Sequence, residues 1–256
     1  NNKNSNRFEV SWFDNKEIKM KSKSFNYINN DKETCIREAN LLLNEKIATQ
    51  KSDFNISVKE FLKLPLFLQR NSLSYKVGIE FNERNIQLDP YILGLWLGDG
   101  HSHAAKITNQ DATILKYLNE NLIKYDCYLK FVRNYDYSFH TLKKYTQTGR
   151  ENKITTILRN YNLLKNKHIP DDYKINSRDN RLKLLAGLID SDGYYGMKTY
   201  EITQKNNLLA KDIVYLTKSL GFACKCKKVK KSCIYKNVKR EGEYNKITIF
   251  GDNLSD

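Results

Sequence analysis

Apolar and polar residues alternate from Arg7 to Phe25, with Phe8, Val10, Trp12, Ile18 and Met20 set around Asp14-Asn15. A period of two interrupted by turn residues predicts a β-hairpin. From Asp31 to about Ile47 the period lengthens, and Ile36, Ala39, Leu42 and Leu43 fall at helical spacing. The first 50 residues therefore read as a strand–strand–helix module. A polar link, Thr49 to Asn55, leads to a short helical stretch, Val58 to Leu64, stopped by Pro65. Val77, Ile79 and Phe81 predict one further strand.

At Asp89-Pro90 the pattern changes again. Asp at an N-cap followed by Pro at the first helical position starts a helix, because Pro lacks an N–H that the first turn cannot use. The helix runs through Tyr91-Ile92-Leu93-Gly94-Leu95-Trp96-Leu97-Gly98-Asp99, and Gly100 is expected to end it in a left-handed cap. A second copy, Leu184-Leu185-Ala186-Gly187-Leu188-Ile189-Asp190-Ser191-Asp192-Gly193, follows the capping candidates Ser177 and Asp179. Asp99 and Asp192 hold the same place in the two copies, 93 positions apart. Lys106-Ile107-Thr108-Asn109 after the first matches Glu201-Ile202-Thr203-Gln204 after the second. Each is succeeded by an amphipathic helix and a basic strand pair, Tyr128 to Lys144 and Cys224 to Ile249. From about Leu88 onward the chain is thus an internal duplication. A closing helix, about Lys153 to Tyr161, is visible in the first half alone.

Charge changes the picture. Lys plus Arg exceed Asp plus Glu by 15 in 256 residues, which favours a polyanionic partner. No apolar run approaches the roughly 20 residues of a spanning helix, and Asn1-Asn2-Lys3-Asn4 opens no signal peptide, so an intracellular protein is expected, nuclear or cytoplasmic. Five unevenly spaced cysteines argue against a disulfide framework, and Cys224, Cys226 and Cys233 lack a matched fourth zinc ligand. In the hairpin, Lys19, Lys21 and Lys23 share one sheet face by period two and are taken as a DNA-contacting row.

The two repeated helices carry small residues four apart: Gly94 and Gly98, Gly187 and Ser191. Small residues let two backbones approach, so the helices are expected to pack about a pseudo-twofold axis and bring Asp99 and Asp192 together. Two adjacent carboxylates repel unless a cation lies between them, and Mg²⁺ suits an all-oxygen site that keeps waters and phosphate oxygens in its shell. Such a centre hydrolyses phosphodiesters by two-metal chemistry.

Leu185-Ala186-Gly187-Leu188-Ile189-Asp190-Ser191-Asp192-Gly193 departs by one residue from the signature of the LAGLIDADG homing endonucleases, and Ile92 to Gly100 looks like the diverged first copy of intein-borne, two-motif members. The resemblance covers about two thirds of the chain. It implies an α+β fold of two pseudo-twofold αββαββα-type halves, whose sheets form a saddle, and a Mg²⁺-dependent, site-specific double-strand DNA endonuclease that leaves short 3′ overhangs. Asp99 and Asp192 are implied as catalytic metal ligands for two or more Mg²⁺ ions, with Mn²⁺ as a substitute and the carbonyls of Gly98 and Ser191 completing the shell. Asp190 has Leu97 as its counterpart and is taken as structural. Asn166-Lys167-His168-Ile169-Pro170 resembles the family's lysine segment, so Lys167 is implied to polarise water or offset phosphate charge. The symmetric lysine is expected beyond Ile247 to Asp252, past Asp256, which puts one half-site in question.

The resemblance implies that the strands lie along the major groove of double-stranded DNA. The candidates for contact are Lys130, Arg133, Lys143, Lys144 and Arg150 in the first half, and Lys225, Lys227, Lys228, Lys230, Lys231, Lys236, Lys239 and Arg240 in the second. The N-terminal module is similar to the three-stranded AP2-like DNA-binding modules. Ile56 to Leu64 resembles the connector to the splicing domain of large inteins, whereas a nucleophile at position 1, a Thr-x-x-His block and a terminal His-Asn are absent. The expectation is an intein-derived monomer without splicing residues, with a host protein or splicing domain as the parent-chain partner. Its expected domains are a basic module (1–50), a connector (51–88) and two endonuclease halves (89–175 and 176–256). The competing function is a catalytically inert DNA- or RNA-binding protein on the same scaffold.

Overall fold

The computed structural model describes residues 6–14, 19–27, 31–49, 55–73, 76–142, 152–235 and 238–251. The chain divides between Ser74 and Tyr75 into two compact units.

The first unit contains β1 (Arg7–Asp14), β2 (Lys19–Asn26), α1 (Lys32–Thr49), α2 (Val58–Phe61) and α3 (Leu66–Asn71). Asp31 starts α1 by accepting the Thr34 N–H at 2.9 Å, and Ser57 and Glu60 close a capping box on α2. The strands pair antiparallel with Phe8 opposite Phe25, Val10 opposite Lys23 and Trp12 opposite Lys21. Val10 and Phe25 are buried against Cys35 and Ala39 of α1. Directly paired residues share a face, so Lys21 and Lys23 lie on the face that packs α1. Lys21 pairs with Asp14 at 2.6 Å, and the Lys23 ammonium is 5.2 Å from the Phe25 ring centroid. The alignment of these lysines matches the period-two expectation, but their face is the helix-covered one; the opposite face carries Glu9, Ser11, Ser22 and Ser24. The side chain of Lys19 lies outside the described set.

The second unit contains, in chain order, α4 (Pro90–Asp99), β3 (Lys106–Thr108), α5 (Ala112–Asn121), β4 (Cys127–Arg133), β5 (Asp136–Thr141), α6 (Lys153–Asn160), α7 (Asp171–Lys174), α8 (Arg178–Asp192), β6 (Gly193–Gly196), β7 (Thr199–Gln204), α9 (Asn207–Ser219), β8 (Ala223–Tyr235) and β9 (Val238–Phe250). The fold is α+β and duplicated. One antiparallel sheet has the order β3-β5-β4, the other β6-β7-β9-β8. A bridge from Gly100 to Ile107 takes the place in the first sheet that β6 holds in the second. After α5 and α9 the chain turns through left-handed residues at equivalent points, Asp126 (φ 52°) and Gly221 (φ 88°). One hydrophobic core, including Ile92, Leu95, Trp96, Leu184, Leu188, Ile213 and Ile247, runs through both halves.

Two expectations require correction. Residues 76–86 form no strand: Ile79 N–H donates to Ser219 O at 2.8 Å, but no ladder follows. The buried Arg181 guanidinium holds this segment instead. It donates to Asn176 O (2.9 Å), to Ser219 O and Oγ (2.8 Å each) and to Ile79 O, and lies 4.9 Å from the Phe81 ring centroid. Gly100 is not a left-handed cap. Its φ of −73° and ψ of 150° are extended, because it passes directly from α4 into the bridge with Ile107.

Candidate active site

The site begins at the crossing of α4 and α8. A Cβ on Gly94 would meet Leu184 O, the Leu188 nitrogen at 2.9 Å and Gly187 Cα at 3.0 Å; one on Gly187 would meet Tyr91 O, the Leu95 nitrogen at 2.9 Å and Gly94 Cα at 3.1 Å. Backbone touches backbone here, so the small-residue pairs act as expected. One turn further, a Cβ on Gly98 would strike Ser191 Oγ and Cβ. Ser191 Oγ donates back to Gly187 O at 2.7 Å, which keeps it clear of α4. Tyr91 OH donates to Asp190 Oδ2 at 2.7 Å, a tether between the two helices that gives Asp190 its structural task.

This crossing carries Asp99 and Asp192 on the adjoining C-terminal ends of the helices. Asn109 Nδ2 donates to Asp99 Oδ2 at 2.7 Å, and Gln204 Nε2 reaches Asp192 Oδ2 at 3.4 Å. Burial pushes the Asp99 carboxyl up to about 6; the Asn109 hydrogen bond and Lys167 oppose the rise, and the charge of Asp192 adds to it. Burial raises Asp192 as well, with Lys167 opposing. Two helix C-termini and two carboxylates concentrate negative charge, so this end of the molecule calls for cations.

Lys167 supplies one. Its Nζ donates to the carbonyls of Leu97 (2.9 Å), Gly98 (3.2 Å) and Gly100 (2.6 Å), and lies 5.1 Å from the Trp96 ring centroid. Burial lowers its pKa to about 8 while Asp192 and Asp99 hold it up. In this geometry its three donors cap α4 rather than point to a water or phosphate. Its loop is fixed on α9: Asn206 Nδ2 donates to Lys167 O at 2.7 Å, and buried Asp212 accepts the Ile169 N–H at 2.9 Å and Lys174 Nζ at 3.0 Å.

Among the described residues, no cluster of three or more His, Cys, Asp or Glu is poised to hold a metal. Two carboxylates with open positions nevertheless fit a hard cation that retains water and phosphate oxygens. Of the two carbonyls expected in the shell, Gly98 O accepts from Lys167 Nζ at 3.2 Å. His101 contacts Thr108 Oγ1 at 3.0 Å and Asp136 at 3.4 Å. Cys224 and Cys226 pair with Ile249 and Ile247 on one face of β8; Cys226 is exposed, whereas Cys224 is half-buried and burial pushes its thiol up to about 11.

The elevated Asp99 pKa has a stability consequence. A carboxyl raised on folding contributes stability that is complete below its unfolded pKa and lost as pH rises through the folded value near 6. Asp99→Asn is therefore expected to stabilise the metal-free protein at pH 7.5 by about 1–2 kcal/mol after allowance for partial solvation. The gain should vanish near pH 4, where Asp99 is itself protonated. Melting curves in chelator at both pH values check this.

Register sorts the basic candidates. In the second sheet Lys225, Lys227 and Lys231 occupy the open face with Lys246, which pairs with Glu201 at 2.8 Å. Lys228 and Lys230 lie on the other face, and Lys228 binds Asn207 Oδ1 at 2.7 Å. Lys239 is exposed and pairs with Glu241 at 2.6 Å. In the first sheet Lys130 and Arg133 are on the open face with Lys106. Lys143, Lys144, Arg150 and Lys236, and the side chain of Arg240, lie outside the described set. Sequence reasoning assigned no role to Asn109, Gln204, Lys106 or Lys246. The aligned repeats Ile107-Thr108-Asn109 and Ile202-Thr203-Gln204 held the signal for the two amides.

The geometry places two carboxylates side by side at the ends of two helices in backbone contact. Residues 168–255 match the family model described as homing endonuclease. Over 150 residues the chain is 31% identical to a replicative DNA helicase DnaB of Mycobacterium intracellulare; the match takes in 57% of this chain and spans about a fifth (21%) of the helicase. Two solved structures of the homing endonuclease I-DmoI, one of mesophilic variants and one in complex with DNA and Ca, are each 14% identical to this chain. Both cover 66% of it; they cover 89% and 83% of their own chains, with TM-scores of 0.36 and 0.35. No helix among the described residues is long and apolar enough to cross a membrane.

Proposed function

We propose that this chain is a site-specific double-strand DNA endonuclease that depends on Mg²⁺ and leaves short 3′ overhangs. The observation that carries this reading is the convergence of Asp99 and Asp192, each held by an amide at or just past the end of the following strand, on the ends of two helices in backbone contact. Because one polypeptide supplies both carboxylates, a monomer is sufficient. When bound, the metal supplies an activated water and stabilises the leaving oxygen. The protein's own part is positional. Asn109 and Gln204 orient the carboxylates, Lys167 fixes the end of α4, and the open sheet faces present lysines to phosphates.

The helicase match supports an origin within a host protein. The chain contains no G-x-x-x-x-G-K-[ST] phosphate loop, so ATP-driven unwinding is not what it shares with that relative. The origin that belongs to this reading is an endonuclease element of intein type inserted in a host protein, and a match confined to one fifth of the helicase's length is consistent with it. The reading is tested with plasmid libraries: linear product in Mg²⁺ and none in chelator supports it, whereas retention of DNA without breaks moves the assignment to an inert binder.

Binding provides a second prediction. Changing Lys225, Lys227 and Lys231 together to Gln should reduce the slope of log affinity against log salt by about 2–3, since each phosphate contact contributes about 0.9. Lys228→Gln, on the opposite face, should leave the slope unchanged. Filter binding in Ca²⁺ across a salt series measures both.

A further inference from the structure

On β9 the alternation places Ile249, Ile247 and Asn245 on one face of the sheet, and both isoleucines are fully buried in the core. Asn245 is 6% exposed. A buried amide where the alternation calls for an apolar residue costs free energy unless its donors are used. Both are used here. Asn245 Nδ2 donates to Gln204 O at 3.1 Å and to Asn207 Oδ1 at 3.0 Å. Gln204 is its strand neighbour on β7 and Asn207 opens α9, so one side chain spans the turn between the two elements. Lys228 Nζ, from β8, reaches the same Asn207 oxygen at 2.7 Å.

Two ties to the site leave from this turn. Gln204 Nε2 reaches Asp192, Gln204 Oε1 accepts the Asn206 N–H at 3.1 Å, and Asn206 Nδ2 holds Lys167 O. The first half is built differently. Asn109 Oδ1 accepts the Asp111 N–H at 2.8 Å in the same manner, but the residue across from Asn109 is Tyr135, whose carbonyl accepts the Asn109 N–H and whose side chain is 56% exposed. Asn109 bonds Asp99 at 2.7 Å, whereas Gln204, longer by a methylene, meets Asp192 at 3.4 Å. A longer arm has more rotamers to lose and depends more on where its backbone is held.

We propose that Asn245 is a positioning residue: it pins the turn from Gln204 to Asn207 and so places the groups that hold Asp192 and the Lys167 loop, a role in cleavage that rests on the endonuclease reading.

Asn245→Val in the full chain tests this. Valine continues the apolar row of Ile247 and Ile249, suits a strand and removes both donors. Amide hydrogen exchange at residues 204–209 is expected to quicken by roughly tenfold, with no change at the equivalent residues 109–114. On a target recovered in Mg²⁺, kcat should fall about tenfold or more, while KM and the DNA affinity in Ca²⁺ stay within about threefold. Asn207→Ala, at an exposed position that supplies one of the two acceptors, should move exchange and kcat in the same direction by a smaller factor. Unchanged exchange at the turn, an unchanged kcat, or a loss of Ca²⁺ affinity equal to the loss of kcat would overturn the proposal. A parent protein that makes no breaks would overturn the endonuclease reading, and the role in cleavage with it, whereas the exchange rates report on the turn in either case.

Discussion

Gly187→Val is expected to lower the melting temperature of the protein by roughly 6–12 °C and to abolish DNA cleavage. A valine would place its Cβ against Tyr91 O, the Leu95 nitrogen and Gly94 Cα. These are backbone atoms of a helix and cannot rotate aside. Valine gains several tenths of a kcal/mol in helix propensity over glycine, whereas forcing a packed interface apart costs about 3 kcal/mol. The clash wins, and at this chain length about 3 kcal/mol corresponds to the stated fall. Gly94→Val should behave in the same way because the pair is reciprocal. Cleavage fails for a geometric reason: separating the helices separates the carboxylates, and a misplacement of about 1 Å costs on the order of 100-fold in rate. Ala186→Val, on an exposed position of the same helix, is the control and should change melting by less than about 2 °C. Calorimetry with a plasmid assay on the three variants decides the matter; a Gly187→Val protein with unchanged melting would mean that the helices do not cross in this way.

Asp192→Asn is expected to eliminate cleavage while leaving DNA affinity within roughly tenfold, since phosphate contacts from the strands carry most of the binding. Asp99→Asn should do the same. In the proposed centre, removal of either carboxylate would leave one charged oxygen ligand in place of two for a divalent ion. Gel-shift titrations in Ca²⁺ beside cleavage in Mg²⁺ separate the two properties, and loss of binding together with cleavage would count against the assigned role. Asp190→Asn provides the contrast. It retains an acceptor for Tyr91 OH, which lies 2.7 Å from the native carboxylate, and should leave cleavage in place.

The centre of the site was legible in the sequence because it depends on local chemistry repeated twice. Asp89-Pro90 and Ser177 announce helix starts, Gly94 and Gly187 announce a close approach, and Asp99 and Asp192 follow just over a turn later. The facing of the lysines was legible only in part. Period two separates Lys225, Lys227 and Lys231 from Lys228 and Lys230, and that much needs no tertiary information. Which face a helix covers does need it. Lys21 and Lys23 are aligned as the alternation requires, yet α1 packs on their side because Val10 and Phe25 share it. Residues 76–86 misled for a related reason. Val77, Ile79 and Phe81 have strand chemistry, but their place is set by Arg181, a residue 100 positions downstream of Phe81 whose burial no local pattern reveals. Lys167 was recognised by its segment, whereas its engagement with three carbonyls of α4 emerges only from the folded chain.

The most direct measurement is a cleavage selection on randomised and genomic duplex DNA, with the ends sequenced, for the parent protein in Mg²⁺, in Ca²⁺ and in chelator, beside the Asp99→Asn, Asp192→Asn double variant in Mg²⁺. Discrete double-strand breaks with short 3′ overhangs, confined to the parent protein in Mg²⁺, are the expected result. Breaks that persist in the double variant, or an absence of breaks in the parent despite selective retention of particular sequences, would contradict a cutting centre at Asp99 and Asp192.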